Sequence, residues 1–378
     1  MTHSFLFIPD ISGYTRFVQE TEAAHSRHVI AELLEVVIAA DRLGMTVAEI
    51  EGDAVLFVLP DTVPSLAEVV DQAQRTFEAF HTHLKQFERD RICECGACIG
   101  AHDLSLKFVA HAGPIETIRV RDFAKPYGPD VILAHRLLKN EVPSDEYLLL
   151  TAPWLDGEDT GLPDWVHMTR GHSDYPDMGR VCHAHVPLGD LKAGLPRPDP
   201  VRPPPRSSRP VRVETLLPLA IDDAFELVSN FDHRLLWNRG VEGLEYEPGR
   251  VNRVGMPHRC VIGGRLVAFE TTTADFGANR RVYGERLLSP TPVADPVIYY
   301  ILDAASGGTR VTAEAHFAPR GWFGWLTSRL FAIALRKNLG TALQHLREVS
   351  PDFVAEARTE SASARETEIA GTGAPALS

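Results

Sequence analysis

Seven prolines fall between residues 196 and 210 (Pro196, Pro198, Pro200, Pro203, Pro204, Pro205 and Pro210). Each removes a backbone donor and fixes φ, so neither a helix nor an interior strand can run through them. Residues 188–210 therefore read as an extended, semi-rigid linker that cuts the 378-residue chain into two globular parts, 1–187 and 211–351. After Pro351 the residues turn small, polar and acidic, with too little apolar area to offset the entropy of ordering, and 352–378 is expected to be a disordered tail.

Composition enters as a set of exclusions. A net charge of −13 with no Lys/Arg block argues against nucleic-acid binding, which needs phosphate neutralisation. The N-terminus has no basic segment ahead of an apolar one, so a signal peptide is not expected and a cytoplasmic location is. The most apolar late stretch, residues 322–335, is shorter than the ~20 residues needed to span a bilayer and carries Arg329, so no membrane span is expected. Five cysteines are an odd count for a disulfide framework and suit a reducing compartment.

Short apolar strands alternate with helical patterns before the linker. Strands are predicted at 5–9, 46–50, 54–59 and 104–111, the last with a partner at 115–120; helices are predicted at 25–43, 65–87 and 129–139. Glu51-Gly52-Asp53 reads as a hairpin turn. This split βαβ order predicts an α+β sandwich. After the linker come a strand at 211–217, a helix at 221–229, several strands with a turn at Gly307-Gly308, and one long helix at 322–349.

Two segments carry the chemistry of the first part. Residues 5–17 end an apolar strand in Asp10-Ile11-Ser12-Gly13-Tyr14-Thr15, which sets a carboxylate beside the free N–H groups of a helix start. Glu49, Glu51 and Asp53 alternate along the second segment and repel one another unless a cation or water intervenes. These segments resemble the metal-binding motifs of class III adenylate and guanylate cyclases, Asp-Ile-x-Gly-Tyr/Phe-Thr and Gly-Asp-Ala, and the resemblance covers roughly residues 1–185. It implies a ferredoxin-like cyclase sandwich that works as a head-to-tail homodimer. It further implies that Asp10, Asp53 and the Ile11 backbone bind two Mg²⁺ or Mn²⁺ ions about 4 Å apart, which clamp a nucleoside triphosphate over residues 12–15. Glu49 and Lys125 fall at the base-recognition positions. Residues 128–137 are similar to the cyclase helix that carries the transition-state residues; its arginine is Arg136, reaching in from a second subunit, while its asparagine is replaced by Ile132. Beside this reading stands a plainer one in which Asp10 caps a helix and Asp53 fills a turn.

Cys93, Cys95 and Cys98, with His102 following, offer soft ligands that suit zinc, although free thiols with a packing role are the other reading. His111 reads as a structural histidine of the sheet.

The second part resembles the START-like, or SRPBCC, superfamily that includes polyketide cyclases. The likeness rests on the order of an opening strand at 211–215, a helix at 221–228, Phe231-Asp232, Trp237, the turn at 307–311 and the terminal helix. It implies a helix-grip fold with an apolar cavity for a hydrophobic small molecule or lipid, for which Trp237, Phe269, Tyr299 and Tyr300 are the candidate lining. Three functions follow: a metal-dependent purine nucleotide cyclase responsive to a hydrophobic ligand, a degenerate cyclase-like module that binds nucleotide or dimerises without turnover, and a lipid or polyketide carrier whose activity lies in the second part.

Overall fold

The computed structural model describes residues 3–21, 23–155 and 161–371, with side chains described at neither 23–24 nor 354–371. The chain divides into two compact units: Met1–Arg89 with Gly96–Asp199, and Asp90–Cys95 with Pro200–Ser378. No helix among the described residues is long and apolar enough to cross a membrane.

The first unit contains β1 (Ser4–Ser12), α1 (Tyr14–Glu20), α2 (Ala23–Ala39), β2 (Thr46–Glu51), β3 (Ala54–Leu59), α3 (Leu66–Asp90) and α4 (Gly96–Gly100). It continues with β4 (Ser105–Gly113), β5 (Glu116–Val120), β6 (Phe123–Tyr127), α5 (Pro129–Arg136), β7 (Tyr147–Leu150), β8 (Thr169–Tyr175), β9 (Gly179–Pro187) and α6 (Leu191–Gly194). Seven strands form one sheet in the order β2-β3-β1-β4-β7-β9-β8, in which β4 and β7 run parallel. Every residue of β1 is buried, because the strand lies mid-sheet with both faces covered. On one face Leu6 and Ile8 pack with Leu56, Val109 and Leu149 and with Val131, Ala134 and Leu137 from α5 and its end. On the other, Phe7 stacks on Phe108 at 5.3 Å.

The second unit contains β10 (Val211–Leu217), α7 (Ile221–Ser229), α8 (Arg234–Trp237), β11 (Gly243–Glu245), β12 (Pro257–Ile262), β13 (Arg265–Thr272), β14 (Arg280–Leu287), β15 (Val293–Ala305), β16 (Gly308–Pro319) and α9 (Gly324–Gly371). Its seven strands form a sheet in the order β10-β16-β15-β14-β13-β12-β11, and α9 packs against β10, β15 and β16. Both units are mixed α+β.

Three expectations differ from the structure. The strand predicted at 115–120 pairs with β6 in a separate two-stranded ribbon, and the neighbours of β4 in the main sheet are β1 and β7. Residues 188–210 are no bare spacer: α6 lies within them, and the Lys85 ammonium donates to the Lys192 and Leu195 carbonyls at 3.2 and 3.4 Å. At the other end the Ser207 N–H donates to His316 Nδ1 at 3.0 Å, and Arg206 lies over the Phe276 ring. Proline denies these residues a place in a sheet but leaves carbonyls and neighbouring side chains to make such contacts. Finally, α9 continues through Pro351 to Gly371 where a disordered tail was expected from residue 352; the Ala-, Glu- and Arg-rich sequence there has a high helix propensity that low hydrophobicity does not cancel. Residues 372–378 lie outside the described residues.

Candidate functional site

In the first unit, β1 delivers Asp10, Ile11 and Ser12 to the end of the sheet, and Gly13 (φ 88°) makes the left-handed turn into α1 that other residues resist. The β2–β3 hairpin turns at Gly52 (φ 63°) and is clipped to β1 where the Ile11 N–H donates to the Asp53 carbonyl at 3.1 Å. The two acids that the sequence separates are thereby neighbours. Burial, and then the Asp10 charge beside it, pushes the Asp53 carboxyl up to about 6, with a smaller contribution from a hydrogen bond between the two carboxyls. Lys107, opposite Asp10 across β4, places its ammonium 3.0 Å from Asp10 Oδ2.

Asp10, Asp53 and Lys107 form one wall of a groove of 790 Å³, which residues 11–16 also line. Glu49 and Lys125 border the same groove, and their side chains meet at 3.8 Å. Arg136 and Ile132, from α5, line it too, so Arg136, expected to reach in from a second subunit, borders the groove of its own chain. The Ile132 side chain, 52% exposed, presents only carbon to the groove. The two carboxylates are hard, anionic oxygen donors, which fits Mg²⁺ or Mn²⁺, and such an ion would offset both the burial and the Asp10 charge that raise the Asp53 pKa.

His102 does not join the cysteines. Its ring lies on the Ile99 carbonyl and beside Asp103, whereas the His25 ring lies 3.5 Å from the Cys98 sulfur. The imidazole beside this soft thiol, a pairing that suits zinc better than magnesium, thus comes from α2. His111 sits in the sheet between the Thr151 hydroxyl (2.7 Å) and Asp130 (3.0 Å); burial lowers its pKa, as befits a structural ring.

In the second unit a cavity of 490 Å³ lies between the sheet and α9, and Phe269 and Tyr300 line it. Trp237 and Tyr299, also expected there, do not. Trp237 is wholly buried behind Tyr300, with its indole N–H donating to the Leu227 carbonyl at 3.0 Å. Tyr299 points to the opposite face of β15, where it packs with Ile301 and Phe276, because adjacent strand residues face opposite ways. The cavity wall also carries a buried ion pair: Arg234 from α8 donates to Glu285 on β14 at 2.5 Å. His258 Nε2 and the Tyr283 hydroxyl reach the other Glu285 oxygen at 3.1 and 2.7 Å. Burial alone would raise the Glu285 pKa; Arg234, His258 and Tyr283 outweigh it and hold the carboxyl below the ordinary range.

Residues 30–147 match the family described as "Protein of unknown function (DUF2652)", and residues 209–350 match the family described as "Polyketide cyclase / dehydrase and lipid transport". The C-terminal unit resembles that second family from its first strand into its long helix. An uncharacterized protein of Mycobacterium tuberculosis is 43% identical over 122 residues, which are 32% of this chain and 57% of that relative, so the match spans little more than half of the relative's length. Among solved structures, the catalytic core of a rhodopsin-guanylyl cyclase with converted specificity, in complex with ATPαS, is similar at 17% identity and TM-score 0.36, covering 49% of this chain and 95% of that one. A bacterial light-regulated adenylyl cyclase is similar at 14% identity and TM-score 0.35, covering 51% and 95%. A protein of Thermus thermophilus covers 37% of this chain and 95% of its own at 20% identity and TM-score 0.30.

Sequence reasoning missed Lys107 in the groove and the Arg234–Glu285 pair in the polyketide-cyclase-like unit. The first was readable as the cross-strand partner of Asp10 only once register was known. For the second, charged residues set among Leu235, Leu236 and Trp237 and beside Tyr283 were the available signal.

Proposed function

We propose that the N-terminal unit binds a purine nucleoside triphosphate together with Mg²⁺ or Mn²⁺. The observation that carries this is the meeting of Asp10 and Asp53 at the rim of a groove that Glu49, Lys125 and Arg136 also line. Asp10, Asp53 and the Ile11 carbonyl would hold the metal. The ion, when bound, supplies positive charge against the phosphates and acidifies a coordinated hydroxyl. The N–H groups at the start of α1 suit phosphate oxygens. Glu49 and Lys125 offer an acceptor and a donor for a base edge, and Arg136 supplies charge against the polyphosphate. Lys107 holds Asp10 in the meantime.

Binding without efficient turnover is the form of this reading that the groove favours, because Ile132 offers no hydrogen bond where the cyclases it resembles use asparagine. The C-terminal cavity, in the same reading, takes an apolar small molecule or lipid, with Arg234 and Glu285 as its polar end. Calorimetry of the full chain with GTP or ATP and Mg²⁺ tests the first claim. Metal-dependent binding that Asp53→Asn abolishes is expected, and equal binding without metal overturns it. Chromatography of the same mixtures reads turnover, and mass spectrometry of solvent extracts reads the cavity's contents.

A further inference from the structure

The first turns of α9 and the loop before it carry exposed apolar side chains: Trp322 (92% exposed), Phe323, Trp325, Leu326, Leu330 and Ile333. At helical spacing, Trp325, Leu326, Leu330 and Ile333 share one face with the exposed Arg329, Arg336 and Lys337, and Arg320 stands just ahead. The chain carries a net charge of −13, yet it has no Asp or Glu between residues 315 and 347. Phe331, Leu335, Leu339 and Ala342 project the other way and line the cavity. This helix is therefore apolar on both sides, one side facing the unit's own interior and the other, studded with cations, facing solvent.

We infer that this outer face docks on the surface of an anionic lipid bilayer. Tryptophan and phenylalanine suit the interfacial depth of a membrane, and arginine and lysine stems can lie along apolar surface while their charged ends meet lipid phosphates. A second copy of the chain fits less well. A twofold contact sets like against like, so it would bring these cations against themselves with no acid in the segment to answer them. The helix lies on the surface and does not cross it. This inference goes beyond the nucleotide reading and does not depend on it.

Flotation of the full chain with phosphatidylcholine vesicles and with vesicles containing phosphatidylglycerol tests it. Binding to the anionic vesicles is expected, with a blue shift in tryptophan emission, and it should fall roughly tenfold when Arg329→Gln and Arg336→Gln are combined or when salt is raised. Trp322→Ala with Trp325→Ala should abolish it; these side chains are exposed, so the variant folds, and an unchanged circular dichroism melt checks this. No recovery with anionic vesicles, or equal recovery of this double variant, overturns the inference. A light-scattering mass that falls from dimer to monomer in the tryptophan variant also overturns it, by assigning the face to a second copy.

Discussion

Asp53 carries a pKa raised to about 6 from 3.8, so its ionised form is the one the fold disfavours. Its contribution to stability is lost as pH rises from about 4 through 6, and a cation that relieves the repulsion competes with a proton below about 6. If the nucleotide reading holds, metal-dependent affinity should therefore fall between pH 7 and pH 5, and calorimetry at the two values checks this; Asp53→Asn should be weak at both. Ile132→Asn restores a donor to the groove. If the nucleotide reading holds, that variant should form cyclic nucleotide at least about tenfold faster than the parent chain, by chromatography. His81 behaves oppositely to Asp53. Burial, with Lys192 and Lys85 nearby, pushes its pKa down to about 4, and its Nε2 lies 3.3 Å from the Ser105 hydroxyl. A histidine held neutral contributes stability that is present above pH 6.5 and lost as pH falls towards 4, up to about 3 kcal/mol. Urea midpoints at pH 7 and 5 should differ accordingly, and His81→Phe should flatten the difference.

Elements in the second unit are tied by their charges as well as by apolar packing. Arg234 on α8 and Glu285 on β14 are 4% and 1% exposed at their side chains. Glu285→Leu leaves a buried guanidinium without its partner and should cost about 3–5 kcal/mol, read as a lower melting temperature, while Arg234→Met with Glu285→Leu should cost less than the single change. Gly308 begins β16 at φ 139°, and a Cβ there would stand 2.0 Å from the Leu217 carbonyl oxygen, so Gly308→Ala should destabilise this unit by roughly 2–4 kcal/mol. What the sequence disclosed follows from what is local. Strand β3, the Gly52 turn and the start of α7 declared themselves because hydrophobic period and turn chemistry are written in adjacent residues. The partner of β5 differs from the expectation because β6, at Phe123–Tyr127, carries Lys125 and Pro126 and gives no strand pattern of its own. His25 escaped for the same reason as Lys107: a helix face or a strand register brought a distant residue beside Cys98 or Asp10, and spacing along the chain holds no record of that. Tyr299 and Tyr300 were assigned together, and strand alternation separates them.

The molecule as a whole joins two seven-stranded sheets on one chain. If the nucleotide groove is completed by a second copy, light scattering with GTP and Mg²⁺ should give twice the 41.7 kDa of the chain, and that mass should survive Trp322→Ala with Trp325→Ala. Each sheet ends in outer strands, β2 and β8 in one and β10 and β11 in the other, whose outward backbone groups could recruit further chain. The proline run between them has a use beyond spacing. A segment that lacks donors at seven positions is a poor strand to add to either rim, which disfavours a half-built sheet borrowing the tether or growing across it into its neighbour. The prolines act as an insulator, keeping two pairing-competent halves of one polypeptide from mistaking each other for themselves.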